Sequence, residues 1–229
     1  MAQIIPEIKS IVGNPDLVRK RRRQITETAI ELFGSRGFHV TTIRDIADAA
    51  KVSIGLIYQY VKDKDDILFL ALAEVINSYA RDIPKALEGV TDPLDRFKAA
   101  FGAFCRVIDD NYAAAVLGYR ESKSLPPDRL AIIKKGELAT NEMLAAPIRE
   151  CVEAGVFRDI DVELFTYTCV CLAHSWALNS WRFAPRRSID AYIDGLLEIM
   201  LAPVLAAEGV EAIKRKPALN GGHAATKAV

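Results

Sequence analysis

Between positions 41 and 64 the chain reads TTIRDIADAAKVSIGLIYQYVKDK, and the chemistry available there is recognition rather than catalysis. Arg44 carries a planar fork of donors that fits the two acceptors guanine shows in a DNA major groove. Its competing uses are a phosphate contact or an ion pair with Asp48, four residues on. Thr42, Ser53, Tyr60 and Lys64 suit phosphate oxygens, and the helix after Lys62-Asp63-Lys64 could add its N–H groups. Ile54 can touch a thymine methyl. Gly55 lets a helix approach a duplex closely. Tyr58 and Gln59 lie on or near the reading face, although Tyr58 could equally be a core ring with only its hydroxyl exposed. Upstream, Arg19, Lys20, Arg21, Arg22 and Arg23 crowd the start of a helix, where positive charge opposes the macrodipole. Phosphate contact explains that run; a solvated basic arm that aids steering is the alternative.

Such side chains need a frame, and the same stretch supplies it. Thr41 or Thr42 can cap a first helix whose Ile43, Ile46, Ala47 and Ala50 share one apolar face. Residues 50–52 make a turn with Val52 as its plug. Ser53 caps a second helix, anchored by Ile57 and Val61. Two short helices about a tight turn are a helix-turn-helix, whose second helix enters the major groove.

The pattern Thr42-x-Arg44-x-x-Ala47, then Val52-Ser53-x-Gly55-x-Ile57-Tyr58-x-Tyr60, then Lys64, resembles the DNA-binding head of the tetracycline-repressor (TetR) family. The resemblance is specific over residues 17 to 72 and is one of architecture beyond. Leu56 stands where the family often has Thr, Ser or Ala, so no phosphate contact is carried onto it. Val61 stands where Phe is frequent, which changes only a core plug. The resemblance implies a homodimer whose final pair of helices forms a four-helix interface. It also implies a repressor acting on a near-palindromic, double-stranded operator.

Composition agrees with this division of labour. Residues 1–64 hold 11 Lys and Arg against 7 Asp and Glu, a net of +4, and the remaining 165 residues carry −4. A basic head on an acidic body is expected where only the head meets phosphate. Of the 229 residues, 51% are hydrophobic and 26% charged, a globular composition with room for a small head and a larger body. MAQIIPEIKS contains no long apolar run, and 167–178 is too short to span a bilayer, so a cytoplasmic protein without membrane contact is expected. Cys105, Cys151, Cys169 and Cys171 make no Cys-x-x-Cys pair and read as buried hydrophobes. Neither metal nor cofactor is expected; Asp159, Asp161 and Glu163 lack a calcium loop's glycine and spacing.

Periodicity predicts an all-α chain without strands or repeats. An irregular, flexible arm spans 1–16 and the head spans 17–64, beginning with a helix over 17–35. A helical ligand-binding and dimerisation body spans 65–208, and a flexible tail follows over 209–229. The first body helix, from 65 to about 83, is too apolar for an exposed linker and is expected to pack under the head and against the body, ending at Pro84. Further helices are expected over 93–110, 111–121, from Pro127 to 153, to about 181, and from Ser188 to about 206.

The last two of these are apolar on two sides and must bury both. Phe165, Cys169, Leu172 and Trp176 mark one side; Tyr167, Cys171, His174, Leu178 and Trp181 mark the other. One side suits the body's core and the other a second subunit. Aromatic and polar groups intermix at Phe101, Phe104, Tyr112, Tyr119, Arg120, Tyr167, His174, Trp176, Asn179 and Trp181, as an effector cavity requires; all but Tyr112 and Trp181 are taken as ligand-binding candidates. Arg120 could pair with an anionic ligand or with Glu121. His174 could equally be a bonded core residue. The segment HSWALNSWRF, 174–183, resembles a branch of the family that senses acyl-coenzyme A thioesters, which implies a small apolar or acyl-CoA-like effector. A DNA-bound architectural or cell-division factor without an effector is the second reading. A Cys171–His174 thiol enzyme is the third; it lacks an orienting group and an oxyanion motif, and no enzyme is expected.

Overall fold

Each head helix is closed by a side chain that the sequence places at its start. In a computed structural model of the chain, which describes residues 4–5 and 10–206, Asn14 accepts hydrogen bonds from the N–H groups of Asp16 and Leu17 and opens α1, Pro15–Arg36. Gly37, at φ 95°, ends it. Thr42 and Asp45 form a reciprocal capping box on α2, Ile43–Ala50. Ser53 caps α3, Ile54–Tyr60, through Leu56 N–H, and Asp63 caps α4, Lys64–Leu87. Ile46, Ala47 and Ile57 are at most 1% exposed and lock α2 and α3 onto α1. Thr42, Ser53, Ile57 and Val61 therefore stand in the predicted roles, with Val61 just past the end of α3.

The body continues with α5, Pro93–Asp110, and α6, Tyr112–Glu121, then a single 3₁₀ turn, Ser122–Ser124. The helices α7, Pro127–Glu153, α8, Val162–Leu178, the short α9, Ser180–Phe183, and α10, Ile189–Leu201, complete the described residues. The central helix is α5, which packs against α4, α7, α8 and α10. Its Phe97, Phe101, Phe104 and Ile108 are at most 1% exposed, each buried aromatic contributing about 1.5–3 kcal/mol. The long α4 belongs to both cores: Ile67, Leu68 and Leu72 face the head, while Val75, Tyr79 and Ile83 face the body.

Four expectations are corrected. The helix α4 runs through Pro84 to Leu87, because a proline in the last turn removes only one intrahelical donor. The helix α8 stops at Leu178, three residues before Trp181, and Trp181 lies on α9. The helix α10 ends at Leu201, beyond which Phe157 and Leu205 form an isolated antiparallel bridge. The described part of the N-terminal arm is docked rather than loose. Ile5 is 1% exposed beside Ile76 of α4 and Gly136 of α7, and Asn77 Oδ1 accepts the N–H groups of Ile4 and Ile5. The tail expected over 209–229 lies outside the described residues.

Candidate nucleic-acid interface and effector region

At seven residues, α3 is too short to hold itself, so its form depends on neighbours. Its C-terminal carbonyls are satisfied from afar. Gln59 O accepts Ser10 Oγ–H at 3.1 Å and Ile11 N–H at 3.3 Å. Tyr60 O accepts both Nε and Nη2 of Arg22, each at 3.0 Å. Pinned this way, α3 turns Ile57 and Tyr60 inward and leaves Ser53, Gly55, Tyr58 and Gln59 exposed. Tyr58, 49% exposed, is therefore a surface ring. Ile54 and Leu56 are half-buried against the head core, so the leucine that departs from the family pattern acts as packing. A Cβ at Gly55 would meet nothing within 4 Å. Nothing in the chain itself requires glycine there.

Arg44 is exposed at the start of α2, and no hydrogen bond or ion pair among the described residues holds its guanidinium. The alternative pairing with Asp48 is not formed. Thr42 is exposed, but its hydroxyl already donates to Asp45 Oδ2 at 2.6 Å and accepts Asp45 N–H. The hydrogen bond from Thr42 holds the Asp45 carboxyl below its ordinary range.

Three assignments do not survive this geometry. Tyr60 is 3% exposed inside the head core, which leaves its ring almost no surface for a phosphate. Lys64 turns inward: its ammonium donates to the carbonyls of Phe38 (2.6 Å), His39 (3.2 Å) and Thr41 (3.0 Å) and lies 4.4 Å from the centre of the Phe38 ring. All three donors are occupied, so Lys64 clamps the α1–α2 turn to α4. The N-terminus of α4 is likewise occupied, by the Asp63 cap and by Asp65 and Asp66 in its first turn, charges that repel a phosphate. Of the basic run, Arg22 is buried, Arg19 pairs with Asp16 and Arg23 with Glu27. Lys51 and Lys62 flank α3 and are exposed, and their ammonium groups hold no partner among the described residues; neither is among the contacts expected from the sequence. Their signal was their position on either side of the recognition helix.

In the body, Phe104, Tyr119 and His174 come together around Tyr79, which the sequence reading did not single out. Tyr79 stacks on Phe104 at 4.2 Å between ring centres, and His174 lies edge-on to Phe104 (5.7 Å) and Tyr119 (5.4 Å). The Tyr79 hydroxyl and His174 Nε2 are 3.4 Å apart. His174 Nδ1 is buried without a hydrogen-bond partner; it lies toward the Val170 carbonyl one turn back, outside bonding geometry. Burial lowers the His174 pKa to about 4, so its ring is neutral near pH 7. Burial also raises Tyr79, Tyr119 and the nearby carboxyl of Glu137 above their ordinary values.

The other effector candidates scatter. Phe101 is core packing against Phe97, and Trp176 donates its indole N–H to Asp109 on another side of α8. Arg120 is exposed, because its face of α6 points away from the apolar core, and no Glu121 pair forms. Tyr167 is 43% exposed on the outer face of α8, and Asn179 is exposed at that helix's end, bonded to Ser175 O. Two surface recesses, of about 430 Å³ beside Lys98, Leu197 and Leu201 and about 380 Å³ beside Arg158 and Phe165, lie away from the Tyr79–His174 cluster. Cys105, Cys151 and Cys169 are buried, which raises their thiols, Cys151 and Cys169 to about 12. Cys171 is exposed and no hydrogen bond joins it to His174. Among the described residues no group of three or more His, Cys, Asp or Glu could hold a metal, and no helix is long and apolar enough to cross a membrane.

Two family models match successive parts of the chain. The family described as "Bacterial regulatory proteins, tetR family" matches residues 25–71, and "Tetracyclin repressor-like, C-terminal domain" matches residues 90–199. The chain is 45% identical over 210 residues, 92% of each protein, to the HTH-type transcriptional regulator HbdR of Aromatoleum sp. (strain CIB). It is 29% identical over 152 residues to the HTH-type transcriptional repressor KstR2 of Mycobacterium tuberculosis, covering 64% of this chain and 74% of that one. The fold superposes on AibR, solved in complex with isovaleryl coenzyme A and operator DNA, with a TM-score of 0.68 at 18% identity over 78% of this chain and 97% of that one.

Proposed function

The chain belongs to the TetR family of bacterial regulatory proteins, and from that premise we propose that it is a homodimeric repressor released from a near-palindromic operator by an acyl-CoA-like effector. It is a helix-turn-helix transcription regulator, and its relatives are regulators rather than enzymes. The observation that carries the reading is the open face of α3, where Gly55, Tyr58 and Gln59 face outward beside an unpartnered Arg44. Residues 17–64 do the reading and 65–208 the sensing and pairing, inside the cytoplasm where operator DNA lies.

The dimer forms through α8 and α10. Leu164, Tyr167, Cys171 and Leu178 repeat along one exposed stripe of α8. On α10, Ala191, Gly195 and Ile199 follow at i, i+4 and i+8, with Ile199 71% exposed and open space at Gly195. Apolar stripes of this kind mark an interface. A two-fold pair places two α3 helices about one DNA turn, or a multiple, apart.

The effector enters between α6 and α8 and parts Tyr119 from His174. The neutral imidazole, with Nδ1 unpartnered, then bonds the polar end of an apolar acyl group, as does the Tyr79 hydroxyl. The acyl-CoA bound by AibR and the 174–183 segment support this ligand class. By linkage, effector and operator weaken each other by the same factor, typically about 5–150-fold. The test is capture of fragmented source DNA by the purified protein at physiological salt, followed by titration of the captured operator complex with short and medium acyl-CoAs. One or two near-palindromic sites released by an acyl-CoA support the reading. Many dispersed sites, unaffected by any acyl-CoA, would replace it with the architectural one.

A further inference from the structure

One carboxylate joins the turn that leaves the recognition helix to a helix of the body. Asp66, in the first turn of α4, has a side chain only 3% exposed. Its Oδ2 accepts the Lys62 N–H at 2.5 Å, in the turn between α3 and α4. Its Oδ1 forms an ion pair with Nη2 of Arg129, in the first turn of α7, without the alignment of a hydrogen bond. The Arg129 side chain is 19% exposed, its guanidinium lies 5.5 Å from the centre of the Phe69 ring, and its Nη1 is buried with no hydrogen-bond partner among the described residues.

Stability alone does not account for this pair. Apolar residues in place of a buried ion pair are often neutral or stabilising, whereas removing one partner leaves an uncompensated charge. A buried charge at a junction makes sense where it fixes a geometry. Here the two oxygens of one carboxylate hold two different parts: one holds the turn after α3, the other holds α7. A displacement of α7 along α4 is therefore felt at Lys62, two residues past the end of α3.

A second contact from the same stretch of the body touches the other turn of the head. His39, between α1 and α2, has its Nε2 3.7 Å from Glu121 Oε2 and 3.4 Å from Ser124 Oγ. Lys64 ties that turn to α4 through the Phe38, His39 and Thr41 carbonyls. Both turns that bracket the reading helices thus lean on residues 121–129, the end of α6 and the start of α7.

We propose that Arg129 is a positioning residue for operator recognition: through Asp66 it sets the angle of the recognition helix to the body, and hence the half-site spacing that a dimer accepts. This rests on the dimeric operator-binding reading above and deepens it. Arg129 touches no DNA; it selects among operators by holding the heads at one separation.

The test uses the full chain, its captured operator, and versions of that operator with one base pair inserted or removed at the centre. One base pair turns a half-site by about 35° and moves it by about 3.4 Å. The wild type should prefer the native spacing by roughly tenfold or more, within the usual range of coupling. Arg129→Met should bring the three spacings to within about threefold, and Arg129→Lys, which keeps the charge, should restore part of the preference. Asp66→Asn retains an acceptor for Lys62 N–H but loses the charge; it should match Arg129→Met, and the double variant should be no worse than either, even where one single variant folds poorly. If both variants weaken all three operators by the same factor, the pair is structural and the proposal is overturned. If the wild type binds the operator with no spacing preference, the dimeric reading itself fails, and the proposal with it.

Discussion

The head and the body use polar side chains in opposite directions. In the head, capping groups close each helix, Lys64 and Arg22 are turned inward as clamps, and what remains outward on α3 is a ring, an amide and a bare glycine backbone beside Arg44. In the body, polar groups sit inside: His174 Nδ1 is buried without a hydrogen-bond partner, and the Tyr79 hydroxyl beside Nε2 of the same ring is buried too, so that burial shifts both groups from their ordinary pKa values. A surface that leaves donors free suits a partner that arrives with its own acceptors, such as DNA. A polar group left unpaired in an apolar interior suits a ligand that has to open the core to reach it. The two regions meet along α4, which contributes residues to both cores.

The comparison breaks most sharply in the core of the body. Phe104→Ala should destabilise the protein by about 3–5 kcal/mol in urea denaturation, since it removes the ring on which Tyr79 and His174 lean. A loss below about 1 kcal/mol would mean that the body is already loosely packed there.

A pH titration of stability tests the inward polarity next. The His174 pKa is lowered from 6.5 to about 4 by burial, so the unfolded chain binds more protons between those values. Stability is therefore complete above about pH 6.5 and falls by roughly 2–3 kcal/mol as pH drops toward 4. The Glu137 carboxyl, raised by burial, acts with the opposite sign above its ordinary range, so the comparison that isolates the imidazole is wild type against His174→Gln. The variant should lose the acid-side slope between pH 6.5 and 4. Identical slopes in the two proteins would remove His174 from the account.

On the head, Arg44→Ala should lower operator affinity by about 1–3 kcal/mol and relax specificity at one base pair. Equal weakening on every sequence would make Arg44 a phosphate contact instead. Lys64 and Lys62 separate clamp from contact. Lys64→Ala should lower the melting temperature, through loss of charge-assisted bonds totalling about 1–2 kcal/mol, and leave the salt dependence of binding unchanged. Lys62→Ala should leave the melting temperature unchanged and lower the salt slope by about one. Swapped outcomes would restore Lys64 to the interface.

Much of the head was legible because its determinants are local. Thr42 and Ser53 stand one residue before the helices they cap, and Ile46, Ala47 and Ile57 repeat at helical spacing. The inward turn of Lys64 was not legible, because the carbonyls it binds lie 23 to 26 residues away and are aligned only after α1 and α4 pack. Arg22 and Tyr60 were misread for the same reason, being joined across 38 residues. Ile5 read as part of an irregular arm because its partners, Ile76 and Gly136, sit on distant helices. The effector region was the least legible. Periodicity cannot say which aromatic on an all-round apolar helix faces which neighbour, so Tyr79 was missed and Trp176 and Tyr167 were grouped with residues on other faces.

The central claim, that the open face of α3 lies against DNA, is tested most directly by Gly55→Ala, read for both folding and binding. The chain itself leaves room for a methyl at this helical position, and alanine favours a helix by up to about 1 kcal/mol. The account predicts a melting temperature equal to or above that of the wild type, together with an operator affinity lower by roughly tenfold. Unchanged operator affinity in a protein that folds normally would contradict it, because a duplex that does not notice a methyl on Gly55 is not held against this helix.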